Sequence, residues 1–477
     1  MRLPQALPLR LGLLPVALFL LLGLGAAVVV PSDYGTDPRP TPPDEGPHLG
    51  YIEYLATHWR LPVFYSSSDN YEAHQPPLYY VSCLPAYLAA RYAFPGPTAG
   101  LSRPGIVLVR AWTVLLAALT VWLGWLLGRR LFGADSVLAL GPPAFLAVWP
   151  GRLMIVSAVT NDSVAEALCL LVFLLCVAVL QEGYSPRRML VLGLALALAM
   201  LAKSTSMAMA PVVLLALVMR FGSRRAQALD PQAGRQLASS LAIVVACVVL
   251  VAGWWFGRNQ VLYGDPLAAE AFERLFSKDR ATPAYFLERG VSGTAYYLLV
   301  AVNTALSFWG VYGQANVYNP SWYYVLGFAV WTAALVGGVW RRGADRRRPS
   351  IPTPPLAKRP GRKAGKNAPQ RDPAEGSAAP DWRGEAWVLV WVLLVLVVAL
   401  FLRFNVAFYQ AQARYLFAAS GSIAVLTTLG LARLTAPERQ PWGLALGLVV
   451  VLFMALWSVV GFASLVAAHY PPPLIGG

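Results

Sequence analysis

The chain has 477 residues, 57% of them hydrophobic and only 13% charged, with a formal net charge of +15. A soluble domain carries about a quarter charged residues, whereas here the apolar residues fall in blocks of about 20, enough to cross a bilayer core of roughly 30 Å. These features exclude a soluble globular protein and, for want of short alternating segments, a β-barrel; the positive charge sits at block ends, where membrane topology places it, which argues against a nucleic-acid partner.

The remaining class is an all-α polytopic membrane protein with about 11 transmembrane helices. In chain order the predicted spans are approximately 11–30, 106–128, 136–157, 163–181, 188–202, 206–221, 237–256, 322–340, 386–402, 414–433 and 441–467. Arg2 and Arg10 precede the first span and put the N-terminus in the cytoplasm. Alternation then brings Arg129 and Arg130, Arg187 and Arg188, Arg220 to Arg225, Arg341 to Arg348 and Arg433 to Arg439 to the same side. The small residues of GLGAAVVVPS suit a signal-peptide end, but the length of the run and the spans that follow favour an uncleaved anchor. The four cysteines, Cys83, Cys169, Cys176 and Cys247, form no CxxC pair and read as small buried hydrophobes.

Two polar stretches contrast. Residues 341–385 carry 12 Lys/Arg against 5 Asp/Glu, net +7, and are rich in Pro, Gly and Ala. They read as a disordered cytoplasmic linker that touches anionic headgroups. It divides a transmembrane module, 1–340, from C-terminal helices over 386–477. The first outside loop is the opposite: residues 31–75 carry 2 Lys/Arg against 7 Asp/Glu, net −5, and three of the four histidines. The outside regions are about 31–105 and 257–321. Pro77 to Tyr92 reads as a helix on the outer interface, with Tyr79, Tyr80, Tyr87 and Tyr92 suited to that depth. A second interfacial helix falls near Thr294 to Phe308.

The ionisable residues gather at span ends on one side. Thr41-Pro42-Pro43-Asp44 reads as a helix start, with Thr41 as N-cap and Asp44 at the third position. Asp44 then either completes a capping box or is a general base at the membrane surface, with His48 one turn on. Asn161-Asp162, between the third and fourth spans, reads as a cap or as a second functional acid. Glu166, one turn into a span, needs water or a partner. Lys203, Arg258 and Arg414 are cationic on the side where the acidic loop lies; Lys203 either snorkels or binds an anion. Acids and bases on one face beside lipid suggest an enzyme acting on a lipid-linked phosphate.

DEGPH, from Asp44, resembles the acidic motif of GT-C type glycosyltransferases, the integral membrane class that uses polyprenyl-phosphate sugars. EAHQPPLYY, from Glu72, resembles the proline motif of the branch containing protein O-mannosyltransferases and lipid A aminoarabinose transferases. SAVTNDS, RNQVLYGDP and QARYLF resemble later landmarks of a related bacterial family. The resemblance runs over most of residues 1–435. It implies an inverting transferase in which Asp44 deprotonates the acceptor, Glu45 is a second candidate, and Asp162 assists the acceptor or a metal. Lys203, Arg258 and Arg414 would bind the donor phosphate. Gln75 stands where the aminoarabinose branch has a lysine thought to meet that phosphate. His74, with Glu72 or His48, is a candidate holder of a divalent metal, although no HExxH or paired-cysteine spacing is present. The implied partners are a polyprenyl-phosphate sugar, an extracytoplasmic acceptor and the bilayer, and the implied setting is a bacterial inner membrane. A flippase for a lipid-linked sugar, or a non-catalytic envelope scaffold, would share the spans; a transporter would more often carry charge deep within them.

Overall fold

In hydrocarbon each backbone N–H and C=O must find a partner within its own segment, so long apolar blocks fold as helices. The computed structural model describes residues 9–32, 41–64, 71–276, 281–340 and 381–469, and they are almost wholly helical. The helices are α1 (Leu13–Val29), α2 (Glu45–His58), α3 (Leu78–Ala93), α4 (Arg103–Phe132), α5 (Gly141–Val148), α6 (Pro150–Val156), α7 (Asp162–Glu182), α8 (Pro186–Ala202) and α9 (Met209–Leu217). Then follow α10 (Arg224–Leu229), α11 (Ala233–Tyr263), α12 (Ala269–Phe276), α13 (Pro283–Leu287), α14 (Gly293–Trp309), α15 (Ser321–Trp340), α16 (Trp382–Ala407), α17 (Ser420–Arg433) and α18 (Gln440–His469). The only sheet among the described residues is a two-stranded hairpin, Val311–Tyr312 with Val317–Tyr318.

Among the described residues nine helical stretches are long and apolar enough to cross a membrane, and a bent pair makes a tenth. With α8, 17 residues long, the eleven predicted spans all have a helical counterpart. The predicted span 136–157 is not one helix. It breaks between α5 and α6 with a bend of 56°, because Pro150 donates no N–H and Trp149 before it is held extended.

A charge sits at that break. Arg152 donates through Nε to both carboxylate oxygens of Glu166 (2.8 Å each). Its Nη1 reaches Leu146 C=O at the open end of α5 (3.0 Å) and its Nη2 reaches Ala117 C=O on α4 (3.0 Å). Both side chains are fully buried. Arg110, in α4, is likewise fully buried and paired with Glu45. The expectation that ionisable groups keep to span ends is therefore corrected: two arginines lie inside the spans, each neutralised by a carboxylate brought from another element.

The two ends of the bundle differ in chemistry. At one end Arg130 and Arg188 both pair with Glu182, as the arginine-rich span ends require. At the other lie α2, α3, the N-terminus of α7 and the C-terminus of α8. Tight approach of α15 to α17 comes from small residues: a Cβ on Gly337 would lie 2.0 Å from the Gly430 carbonyl. Three of the four α3 tyrosines face protein: Tyr79, Tyr80 and Tyr87 are fully buried, and only Tyr92 is exposed. Their hydroxyls find partners inside, Tyr79 on Thr113 and Tyr87 on Ala99 C=O, so α3 is a packed element and not an aromatic belt. The helix predicted near Thr294 to Phe308 is α14, with a buried stripe of Tyr296, Val300, Thr304 and Phe308 and an apolar exposed face. Residues 341–380 of the basic linker lie outside the described residues. Trp382–Glu385, counted with that linker, form the first turn of α16, capped by Asp381.

Candidate active site

The acidic loop does not start its helix as the sequence suggested. α2 begins at Glu45, and Asp44 occupies the cap position in the left-handed region, φ 60°, without capping. Thr41 is not the N-cap; instead its carbonyl and that of Pro42 accept from Gln314 Nε2 (3.3 and 3.2 Å) on the 311–318 hairpin. A non-glycine residue at positive φ is uncommon, and Asp and Asn tolerate it best. The strain has a consequence: it turns the Asp44 carboxylate off the helix and onto Arg414, with which it forms an ion pair.

Asp162 is the first residue of α7, and no side-chain cap is made there by Asn161. The Asp162 carboxylate accepts from Lys203 Nζ (2.6 Å) and from Thr160 Oγ1 (3.2 Å). Lys203 is presented where α8 stops and the chain turns extended. Arg414 stands in the 3-10 turn Ala413–Ala419 that leads into α17. Asp162, Glu166, Lys203, Ser206, Arg414 and Tyr415 line one cavity, and Asp44 joins it through Arg414. Two acids and two bases from four distant stretches thus form two adjoining ion pairs.

Around this quartet lie Glu72, His48, His74 and Gln75. Burial pushes the Glu72 carboxyl well above the usual carboxylate range, and the nearby Asp44 charge adds to the shift. Burial lowers His48 to about 3, against the raising influence of Asp44, and lowers His74 to about 3 in the same way. Each imidazole is used locally: His48 Nδ1 bonds the Tyr80 hydroxyl (2.9 Å) and His74 Nε2 meets Gln75 Nε2 (3.0 Å). Gln75 Oε1 accepts from Asn161 Nδ2 (3.3 Å), which joins the proline-motif segment to the Asp162 loop. Among the described residues no group of three or more His, Cys, Asp or Glu is arranged to hold a metal ion, so Glu72, His74 and His48 do not assemble a donor set.

The neutral histidines give a pH signature. Unfolded, each imidazole takes up a proton below about 6.5; folded, it does so only near 3. Their contribution to stability is complete above the unfolded value and is lost as pH falls from about 6.5 toward 3. Thermal unfolding in detergent across that window is expected to show the decline, and His48→Phe should flatten part of it.

Two predicted site residues are placed elsewhere. Arg258 belongs to α11, which runs on to Tyr263 and so carries the side chain to a different neighbour. Its Nη2 donates to Pro62 C=O (2.6 Å) and its guanidinium stacks on Trp255; it does not line the cavity. Glu45 is fully buried against Arg110 and accepts the Val159 N–H (2.8 Å) as well. Its oxygens are committed to structure, which removes it as a second base. Arg110 and Arg152 went unread in the sequence, although a lone arginine in VLVRAWTVLL or WPGRLMIV was itself the signal that a buried carboxylate must lie opposite.

Residues 100–255 match the family model described as dolichyl-phosphate-mannose-protein mannosyltransferase. No curated protein matches the chain in sequence. Among solved structures it is similar to ArnT from Cupriavidus metallidurans in the apo state, with a TM-score of 0.53 at 14% identity over 96% of this chain and 76% of that one. It is equally similar to ArnT from that organism bound to undecaprenyl phosphate, with a TM-score of 0.52, 14% identity and the same coverage. The Archaeoglobus fulgidus oligosaccharyltransferase in complex with zinc and sulfate matches with a TM-score of 0.51 and 14% identity, over 94% of this chain and 52% of that one. These likenesses establish the fold, and with the family match they bear out the resemblance to GT-C type membrane glycosyltransferases.

Proposed function

We propose that this chain is an integral-membrane glycosyltransferase that moves a sugar from a polyprenyl-phosphate donor to an extracytoplasmic acceptor, a glycan, lipid or protein. The observation that carries the reading is the quartet Asp44–Arg414 and Asp162–Lys203, set at the end of the bundle opposite the Arg130–Glu182–Arg188 cluster. The positive-inside rule assigns the arginine-rich end to the cytoplasm, so the quartet faces outward in a bacterial inner membrane. The match over 100–255 and the fold shared with a protein crystallised with undecaprenyl phosphate support the donor class.

The charges support the following mechanism. Asp44 takes the proton of the acceptor hydroxyl or amine, which attacks the anomeric carbon in line with inversion. The bond to phosphate breaks, and polyprenyl phosphate leaves with the electron pair onto Lys203 and Arg414, which stabilise the growing charge. Arg414 serves both partners in turn. An arriving phosphate competes with Asp44 for the guanidinium, and the carboxylate released from a cation has the higher proton affinity that a base needs. Asp162 holds Lys203 in register and stands next to the acceptor; Gln75 helps place the Asp162 loop. Arg258 is left out of the phosphate site, and no step is routed through a metal.

The test is purified protein with a polyprenyl-phosphate sugar and a panel of acceptors, read as polyprenyl phosphate released. Transfer to at least one acceptor is expected. Lys203→Gln is expected to raise donor KM about 10- to 100-fold, the worth of a hydrogen bond to a charged group, with the choice of acceptor unchanged. If no acceptor draws sugar from the lipid while reconstituted vesicles move the lipid across the bilayer, the chain is a transporter. The arginines inside the spans do not themselves favour transport, since Arg110 and Arg152 are fully committed to carboxylates and backbone carbonyls.

A further inference from the structure

Arg110 has five N–H donors, and the structure gives every one an acceptor. Nε and Nη2 grip the two oxygens of Glu45 (2.7 and 2.6 Å). Nη1 reaches the carbonyls of Ala27 and Val30 (3.0 and 2.7 Å), and Nη2 also reaches that of Pro31 (2.8 Å). Those three carbonyls are at and just past the end of α1, where backbone oxygens have no helical partner. On the far side, Glu45 Oε1 accepts a second bond, from Val159 N–H (2.8 Å). Arginine and glutamate are both fully buried.

We infer that Arg110 and Glu45 are positioning residues that set Asp44 and Asp162 relative to one another through a single carboxylate. Glu45 is the residue after Asp44 and starts α2, so its grip fixes the strained turn that aims Asp44. Val159 is three residues before Asp162, so the same oxygen fixes the loop that starts α7. α1 and α4 supply the rigid base through Arg110, which keeps no donor for a substrate and is excluded as a phosphate ligand. Lysine, with three donors on a flexible stem, cannot reproduce the five-point grip.

The kinetic part of this inference rests on the glycosyltransferase reading; the structural part does not. Glu45→Gln is close in shape but loses the charge and turns an amide donor toward the Arg110 donors. In the full-length protein it is expected to raise hydrogen exchange together at residues 44–50 and 158–164. It should also lower kcat about 100-fold, as displacement of a catalytic group by about 1 Å does, with donor KM changed less than threefold. Arg110→Lys, which keeps the charge, should not restore kcat. The double substitution Arg110→Met and Glu45→Met should recover part of the thermal stability, the Ala27, Val30 and Pro31 carbonyls and the Val159 N–H being left without their partners, without recovering turnover. Wild-type kcat in folded Glu45→Gln, exchange that rises in only one of the two segments, or recovery of kcat with stability in the double variant would overturn the assignment. If the parent chain transfers no sugar at all, the glycosyltransferase reading falls and the exchange result alone decides whether the clamp exists.

Discussion

Asp44→Asn is expected to lower sugar transfer by about 10²- to 10⁴-fold, the contribution of a positioned general base, while the protein stays folded and still binds donor. The substitution suits the site. Asn is among the few residues at ease with the positive φ found there, so the turn into α2 survives. The amide keeps the size of the carboxyl and removes only its charge and basicity. Arg414 then loses its ion-pair partner and is freer to meet the donor phosphate. Donor affinity should therefore hold or tighten as kcat collapses, a split that a general structural defect would not produce. Asp44→Ala is the poorer test, because it adds backbone strain of about 1 kcal/mol or more to the chemical change. Turnover of Asp44→Asn at the parent rate would remove Asp44 as the base, and equal losses in kcat and donor binding would make it a structural residue.

A large loss of stability is expected at the break between α5 and α6, where Arg152 and Glu166 are fully buried. Removing one partner of a buried ion pair costs about 3–5 kcal/mol, because the survivor is left charged in an apolar interior. Arg152 and Glu166 are not symmetric in this respect. A lone glutamate can take up a proton; a lone arginine cannot shed one at any accessible pH. Glu166→Leu should therefore be worse than Arg152→Met, seen as a lower midpoint of thermal unfolding and a smaller monodisperse yield in detergent. Joining the two substitutions should recover much of the loss, but not all. Arg152 also satisfies the Leu146 and Ala117 carbonyls, and no methionine can donate to them. A double variant as poor as Glu166→Leu would mean that the backbone bonds, and not the charge pair, hold the bend.

The helical spans and the difference between the two ends followed from the sequence alone. Those properties are local: a run of apolar residues must be helical in lipid wherever it lies, and arginine at its end marks a side. The same logic singled out Asp44, Asp162, Lys203 and Arg414, since charge beside an apolar run needs a reason. Who pairs with whom was decided only by tertiary structure. Arg414 is 370 residues from Asp44, and Arg110 is 65 from Glu45; no spacing rule reaches so far. Helix packing set Asp44 against Arg414 and Glu45 against Arg110, sent Arg258 to the Pro62 loop, turned the α3 tyrosines inward and put Arg152 at a broken span. In each case the choice came from burial, where a charge or hydroxyl cut off from water must take whichever partner the neighbouring helix presents.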